Sequence, residues 1–297
     1  MTANLVGDFS KTIRHDKVMD LLGITMLVYD YSKKFTFDKD ETIETFVSSK
    51  KQGEDEEIDM NISDPRKEVL EKLGQSSPHG KVVKFISNKT TDIQVGITIS
   101  ETNKRICVVF RGSESKSDWY YDLMILKKKI MHDLYDDVHV HSGFFHQLHD
   151  TSVYEKIVEA LKSLLEENPD YDIYITGHSL GGALSTLFGF ELSHEIDNQI
   201  SVISFASPRV GNQAFKDAFD GKTNLEHYRV TNDHDIITGT PMVFFKHVGK
   251  NIAICEDKCE LFENYEYGWW KYSLFNCYSP GDHDVDLYYK RLCKHAW

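Results

Sequence analysis

The stretch Ile173-Tyr174-Ile175-Thr176-Gly177-His178-Ser179-Leu180-Gly181-Gly182-Ala183-Leu184 places a serine between two glycines, each two positions away. A serine hydroxyl can act as a nucleophile when a sharp strand-to-helix turn presents it at the carboxyl end of a sheet. Bulk two positions before or after that apex would collide with neighbouring chain, which explains Gly177 and Gly181. The apolar run before Ser179 reads as a strand, and the Ala/Leu/Phe-rich run after it as a helix. The helix N-terminus then aims free N–H groups and its positive dipole end at the serine, which suits a developing oxyanion. The bare pentapeptide also occurs as a glycine-rich turn before a buried helix. The matching strand and helix speak against that alternative.

A serine nucleophile needs a histidine to take its proton and a carboxylate to hold the imidazole in the right tautomer. Where the serine sits on such an elbow, the chain order is Ser, then Asp or Glu, then His. Candidates for the acid are Asp233 and Asp235, in an acidic loop after the strand of Tyr228, Arg229 and Val230; each also reads as a solvated loop carboxylate. Candidates for the base are His234, His247, His283 and His295. His283 follows the turn Ser279-Pro280-Gly281-Asp282 and precedes a helix, so it sits on a loop able to swing over Ser179. His295 is near the C-terminus, where fraying is expected. The cluster His139, His141, His146 and His149 matches no structural zinc spacing, so neither a metal nor a cofactor is expected.

These residues must be carried by regular elements. Residues 16–32 have helical spacing of Val18, Leu21, Leu22, Thr25, Met26 and Tyr29. Residues 48–59 read as an exposed polar loop and 65–73 as a short helix begun by Pro65. Strands are expected over 81–86, 93–99 and 105–110, then a long helix over 146–167 ended by Pro169. Strands over 171–176, 201–205 and 226–230 alternate with helices over 179–192 and 212–219, and a last helix covers 284–292. Such alternation predicts an α/β fold with a mostly parallel central sheet flanked by helices, the early strands forming an antiparallel extension. Lys127-Lys128-Lys129 reads as a solvated turn. No internal repeat or low-complexity tract is present, and residues 1–297 read as a single domain: a core over about 81–292 and an N-terminal helical extension over 1–80.

Composition excludes some partners. The chain has 297 residues, 40% hydrophobic and 27% charged, ordinary for a globular protein that can bury a core. A formal net charge of −13 disfavours nucleic acid, and disfavours anionic membranes by charge alone, while leaving contact with neutral lipid through an apolar patch. No apolar run is long enough to span a bilayer, and residues 1–20 lack a leader's apolar centre. The odd set Cys107, Cys255, Cys259, Cys277 and Cys293, with no leader, points to free thiols and a cytoplasmic location. Cys107 reads as a core residue; Cys255 and Cys259 would pair only in an oxidising setting, which no leader supports.

Several separated segments resemble the fungal-type class 3 lipase family of α/β hydrolases. Val108-Val109-Phe110-Arg111-Gly112-Ser113 is similar to its oxyanion-strand motif, Val140-His141-Ser142-Gly143-Phe144 to the segment before its long helix, and residues 176–184 to its elbow. Phe205-Ala206-Ser207-Pro208-Arg209-Val210-Gly211-Asn212 resembles its Phe-Gly-x-Pro-Arg-Val-Gly-Asn block, with Ala206 where Gly is usual. Arg229-Val230-Thr231-Asn232 with Asp235 resembles its acid motif, and Asp282-His283 before an aromatic helix resembles its base motif. Ile236-Ile237-Thr238 departs from the family's Val-Pro after the acid, and residues 243–279 are not closely matched.

The resemblance implies an α/β-hydrolase fold with Ser179, Asp235 and His283 as catalytic triad, Asp235 because the family places its acid six residues after the arginine of that strand. It implies an oxyanion hole from the backbone N–H groups of Ser113 and Leu180, with the Ser113 hydroxyl as helper. The expected function is serine hydrolysis of carboxylic esters of lipids through an acyl-enzyme, at a lipid interface. Alternatives are a phospholipase or acyltransferase on the same fold, or a catalytically silent binding protein. In similar lipases a lid lies where residues 117–126 stand here, a stretch that reads equally well as an ordinary buried element. Trp269, Trp270, Tyr272 and Phe275 suit an acyl pocket or plain packing.

Overall fold

A computed structural model describes residues 4–5, 12–34, 80–88, 91–112, 127–131, 133–241, 243–256, 258–263 and 280–297. The expected loop over 48–59, helix over 65–73, lid stretch over 117–126, aromatic group over 269–275 and Ser113 lie outside the described residues. Described strands are β1 (Asn4–Leu5), β2 (Lys81–Asn88), β3 (Ile93–Ser100), β4 (Arg105–Phe110), β5 (Lys127–Lys129), β6 (His139–His141), β7 (Asp172–His178), β8 (Ile200–Phe205), β9 (Leu225–Asn232), β10 (Lys250–Ile254) and β11 (Cys259–Glu263). Described helices are α1 (His15–Lys34), α2 (Ser142–His149), α3 (Val153–Glu167), α4 (Leu180–Leu192), α5 (Gln213–Asp220) and α6 (Val285–Lys294).

A nine-stranded sheet runs in the order β1-β11-β10-β9-β8-β7-β4-β3-β2. Its centre, from β4 through β7, β8 and β9 to β10, is parallel. β3 and β2 extend it antiparallel at one edge, and β11 and β1 do so at the other. Every residue of β4 is buried. Ile106, Val108 and Phe110 join a cluster with residues of α2 to α5, whereas Cys107 and Val109 join one with α1 and α6. The alternation is what a sheet covered on both faces requires of its strands. α4 is buried along its whole length, as a helix apolar all round must be. The fold is that of an α/β hydrolase.

Two expectations differ from what is found. The helix expected over 146–167 is two helices, α2 and α3, separated at Asp150, Thr151 and Ser152. Such short polar side chains compete for backbone hydrogen bonds and favour helix ends over interiors. Lys127–Lys129 is not a turn but the strand β5, whose backbone pairs antiparallel with β6. β10 and β11, which were not anticipated, carry no clean period: β10 buries the polar Asn251, whose Oδ1 accepts from the Thr231 hydroxyl at 3.1 Å.

Candidate active site

β7 delivers Ser179 to the turn at φ 60° and ψ −125°, a region L-residues seldom occupy. The conformation is held from both sides. The Ser179 N–H donates to the Phe205 carbonyl at 2.8 Å, and the Ser179 carbonyl accepts from the N–H groups of Gly182 and Ala183 at 2.9 and 3.2 Å. A Cβ on Gly177 would lie 2.5 Å from the Gly181 carbonyl carbon, and one on Gly181 only 2.2 Å from the Phe110 oxygen. The elbow therefore packs backbone against backbone. Leu180 opens α4, so its N–H is among those without an intrahelical acceptor.

Over the serine lies His283, at the end of the short 3-10 helix Pro280–His283. Its Nε2 is 2.8 Å from Ser179 Oγ. Its Nδ1 is 3.0 Å from Asp235 Oδ1 and 2.8 Å from Oδ2. A carboxylate only accepts, so Nδ1 carries the hydrogen and Nε2 is left to accept from the serine. The Asp235 side chain is wholly buried, the His283 side chain 18% exposed. Asp235 also caps the 3-10 helix Ile236–Gly239, accepting from the Ile237 N–H at 3.0 Å. Its Oδ2 accepts from the Tyr288 hydroxyl at 2.7 Å, and that hydroxyl accepts from the Asn232 N–H at 2.9 Å. Asn232 Nδ2 donates to the Asp282 carbonyl at 2.9 Å, so the end of β9 and the loop before α6 are tied together.

The other candidates lie elsewhere. His234 reaches Asp233 at 3.8 Å on the surface. His247 is buried and donates from Nε2 to the Thr238 carbonyl at 2.6 Å. His295 donates to the Glu256 carbonyl at 3.0 Å. His139 meets Asp137, His146 meets Asp150 and His149 meets Glu191, while the His141 ring lies tilted against that of Phe144 with centroids 4.4 Å apart. Among the described residues no group of His, Cys, Asp and Glu is placed to hold a metal. Cys107 is buried, which pushes its thiol up to about 12. Cys255 and Cys259 stand unbridged beside the turn between β10 and β11.

Reading the residues alone passed over Tyr288 and His178. Tyr288 and Leu292 are an apolar pair at helical spacing, the ordinary mark of a core face. His178 stands at a variable position of the elbow pentapeptide.

The family model described as "Lipase (class 3)" matches residues 107–245. The chain is 31% identical over 185 residues to a phospholipase A1-II 3 of Oryza sativa subsp. japonica, covering 54% of this chain and 44% of that one. It is 29% identical over 164 residues to a secreted mono- and diacylglycerol lipase A of Penicillium cyclopium, covering 55% and 52%. Over residues 107–245 the chain is similar to class 3 lipases. It spans about half the length of these curated relatives. A solved lipase from Rhizopus microsporus var. chinensis superposes with a TM-score of 0.68 at 23% identity, over 95% of this chain and 90% of that one, a likeness of fold. The family match includes Ser179 and Asp235 and ends before His283.

The relatives overturn the cytoplasmic location expected from the missing leader, because the mono- and diacylglycerol lipase A of Penicillium cyclopium is named as secreted. Among the described residues no helix is long and apolar enough to cross a membrane.

Proposed function

We propose that this chain is a class 3 lipase that hydrolyses carboxylic esters of lipids through an acyl-enzyme on Ser179. The observation that carries the reading is the unbroken hydrogen-bonded line from Ser179 Oγ through His283 to the buried Asp235. Ser179 attacks the ester carbonyl as His283 Nε2 takes its proton. Asp235 keeps Nδ1 protonated and stabilises the imidazolium. The N–H of Leu180, and with it that of Ser113, would hold the oxyanion. The alcohol leaves with the proton from His283, and water activated by the same imidazole releases the acid. An intact triad on a strained elbow argues against a silent binding protein, since strain of this kind persists where surrounding structure is built to hold it.

The names of the relatives support acylglycerols and phospholipids as the substrate classes. A phospholipase A1 reading is favoured by the rice relative, a glyceride lipase reading by the Penicillium one. Residues 1–297 are read as one domain.

The test is hydrolysis of a chromogenic acyl-ester series, then of emulsified glycerides and phosphatidylcholine, by the wild type and by Ser179→Ala, Asp235→Asn and His283→Ala. Replacing Ser179 or His283 should lower kcat by about 10⁶ and Asp235→Asn by about 10⁴. Folded wild type that neither turns over an ester nor takes a fluorophosphonate label in detergent would sink the hydrolase reading.

A further inference from the structure

The imidazole directly before the nucleophile touches the base. His178 is buried, its ring centroid 4.9 Å from that of His283 and 5.8 Å, edge-on, from that of Tyr288. His178 Nε2 lies 2.9 Å from the backbone carbonyl oxygen of His283. A carbonyl can only accept, so Nε2 carries the hydrogen and, in the neutral ring, Nδ1 is the acceptor. Near Nδ1, at 3.3 Å, stands the hydroxyl of Tyr29, from α1. The same phenol oxygen is 2.1 Å from where a Cβ on Gly112 would be, so it also lies against the chain leaving β4. One hydroxyl of the N-terminal helix thus meets the end of the oxyanion strand and the residue before the nucleophile, and through the latter reaches the main chain of the base. α1 is fixed under this region by the Asp20–Arg105 ion pair and by Thr25 beside Thr176 at 3.4 Å.

We propose that His178 is a positioning residue for His283, held in one tautomer by Tyr29, and that α1 is thereby part of the hydrolytic apparatus. The proposal rests on reading His283 as the base. His283 ends a 3-10 helix only four residues long, and its carbonyl is anchored by this imidazole. Letting the base drift by about 1 Å from the serine is enough to lose on the order of 10²-fold in rate. Were His178 there only to fill space, an apolar side chain of similar volume would serve equally well.

The experiment compares His178→Leu, which fills the space without a donor, with His178→Gln, which restores an N–H near Nε2, and with Tyr29→Phe, which removes only the hydroxyl. Readouts are kcat and KM on a soluble short-chain ester, the rate of fluorophosphonate labelling of Ser179, and Tm. His178→Leu should lower kcat and labelling by about 10- to 100-fold with KM within about twofold, and His178→Gln should recover most of the loss. Tyr29→Phe should show a smaller loss of the same kind, and carries the test if His178→Leu does not fold. The proposal is overturned if folded His178→Leu keeps kcat within about twofold of wild type, or if Leu and Gln variants lose activity equally and in step with Tm. An inert, unlabelled wild type would instead remove the hydrolase reading itself.

Discussion

Asp235 is asked to do several things with one carboxylate. It accepts from His283, from Tyr288 and from the Ile237 N–H, and every one of these donors is supplied by the fold. A buried carboxylate survives when its lone pairs are taken up in this way. Tyr288→Phe removes one donor and also strips the buried Asn232 N–H of its acceptor. It should cost about 1–3 kcal/mol of stability. Because the freed carboxylate can turn away from the imidazole, kcat should also fall about tenfold with KM little changed. Urea unfolding and steady-state kinetics on the same preparation check both; unchanged kcat would mean that Ile237 and His283 suffice to hold the acid. Ser179 and Asp235 sit in local patterns that can be recognised in the chain. Tyr288 cannot be, because a tyrosine on a helix stripe looks the same whether its hydroxyl meets solvent or a carboxylate.

The elements were legible where their period was clean. β4, β7 and β8 are apolar runs, and α4 is an apolar helix, so their residues alone announce a covered sheet. α1 shows how much more an element can carry than its period reveals. Its amphipathic face is evident, but its polar residues reach specific partners: Asp20 forms an ion pair with Arg105, whose side chain is 4% exposed, and Lys17 reaches the Tyr174 hydroxyl. Taking away one charge of a buried pair leaves the other desolvated with the attraction gone. Asp20→Asn should therefore destabilise by about 3–5 kcal/mol, while Asp20→Asn combined with Arg105→Met should recover a large part of that. Chemical denaturation of the single and double variants decides it. A loss below about 1 kcal/mol in Asp20→Asn would show the pair to be no stronger than a surface bridge.

The molecule as a whole buries the imidazoles of His227 and His247. Burial pushes His247 well below its ordinary range, helped by Arg229 and Arg209, and burial with Arg229 does the same to His227. The unfolded chain protonates these rings near pH ~6.5, the folded one does not. The unfolded state therefore binds more protons as pH falls below ~6.5, and stability declines there, by about 1.4 kcal/mol per pH unit for each ring, while staying level above it. Glu191, whose carboxyl is raised by burial, works in the opposite sense, but as a single group and nearer the carboxylate range. Urea midpoints should drop steeply from pH 6.5 to 5, and His227→Gln should flatten the slope. A wild-type midpoint that does not move across that interval would mean the rings charge inside the fold.

Short-range sterics and periodicity are properties of neighbouring residues, so the chain by itself determined the elbow at Ser179, the α/β alternation, the two-faced burial of the central strands and the order in which acid and base must follow. It left two acids and four histidines as candidates until a family resemblance chose between them. Bringing His283 to Ser179 closes 104 residues of chain, and bringing it to Asp235 closes 48. No local pattern encodes distances of that kind; they follow from the parallel sheet, which brings the ends of β7 and β9 to the same edge with β8 between them, and from α6 packing back across them. The same holds for Tyr29, which enters the site only because α1 lies against β4 and β7. Tertiary structure decided the partners, because a hydrogen bond between distant segments is set by the packing of whole elements and not by the residues on either side of it.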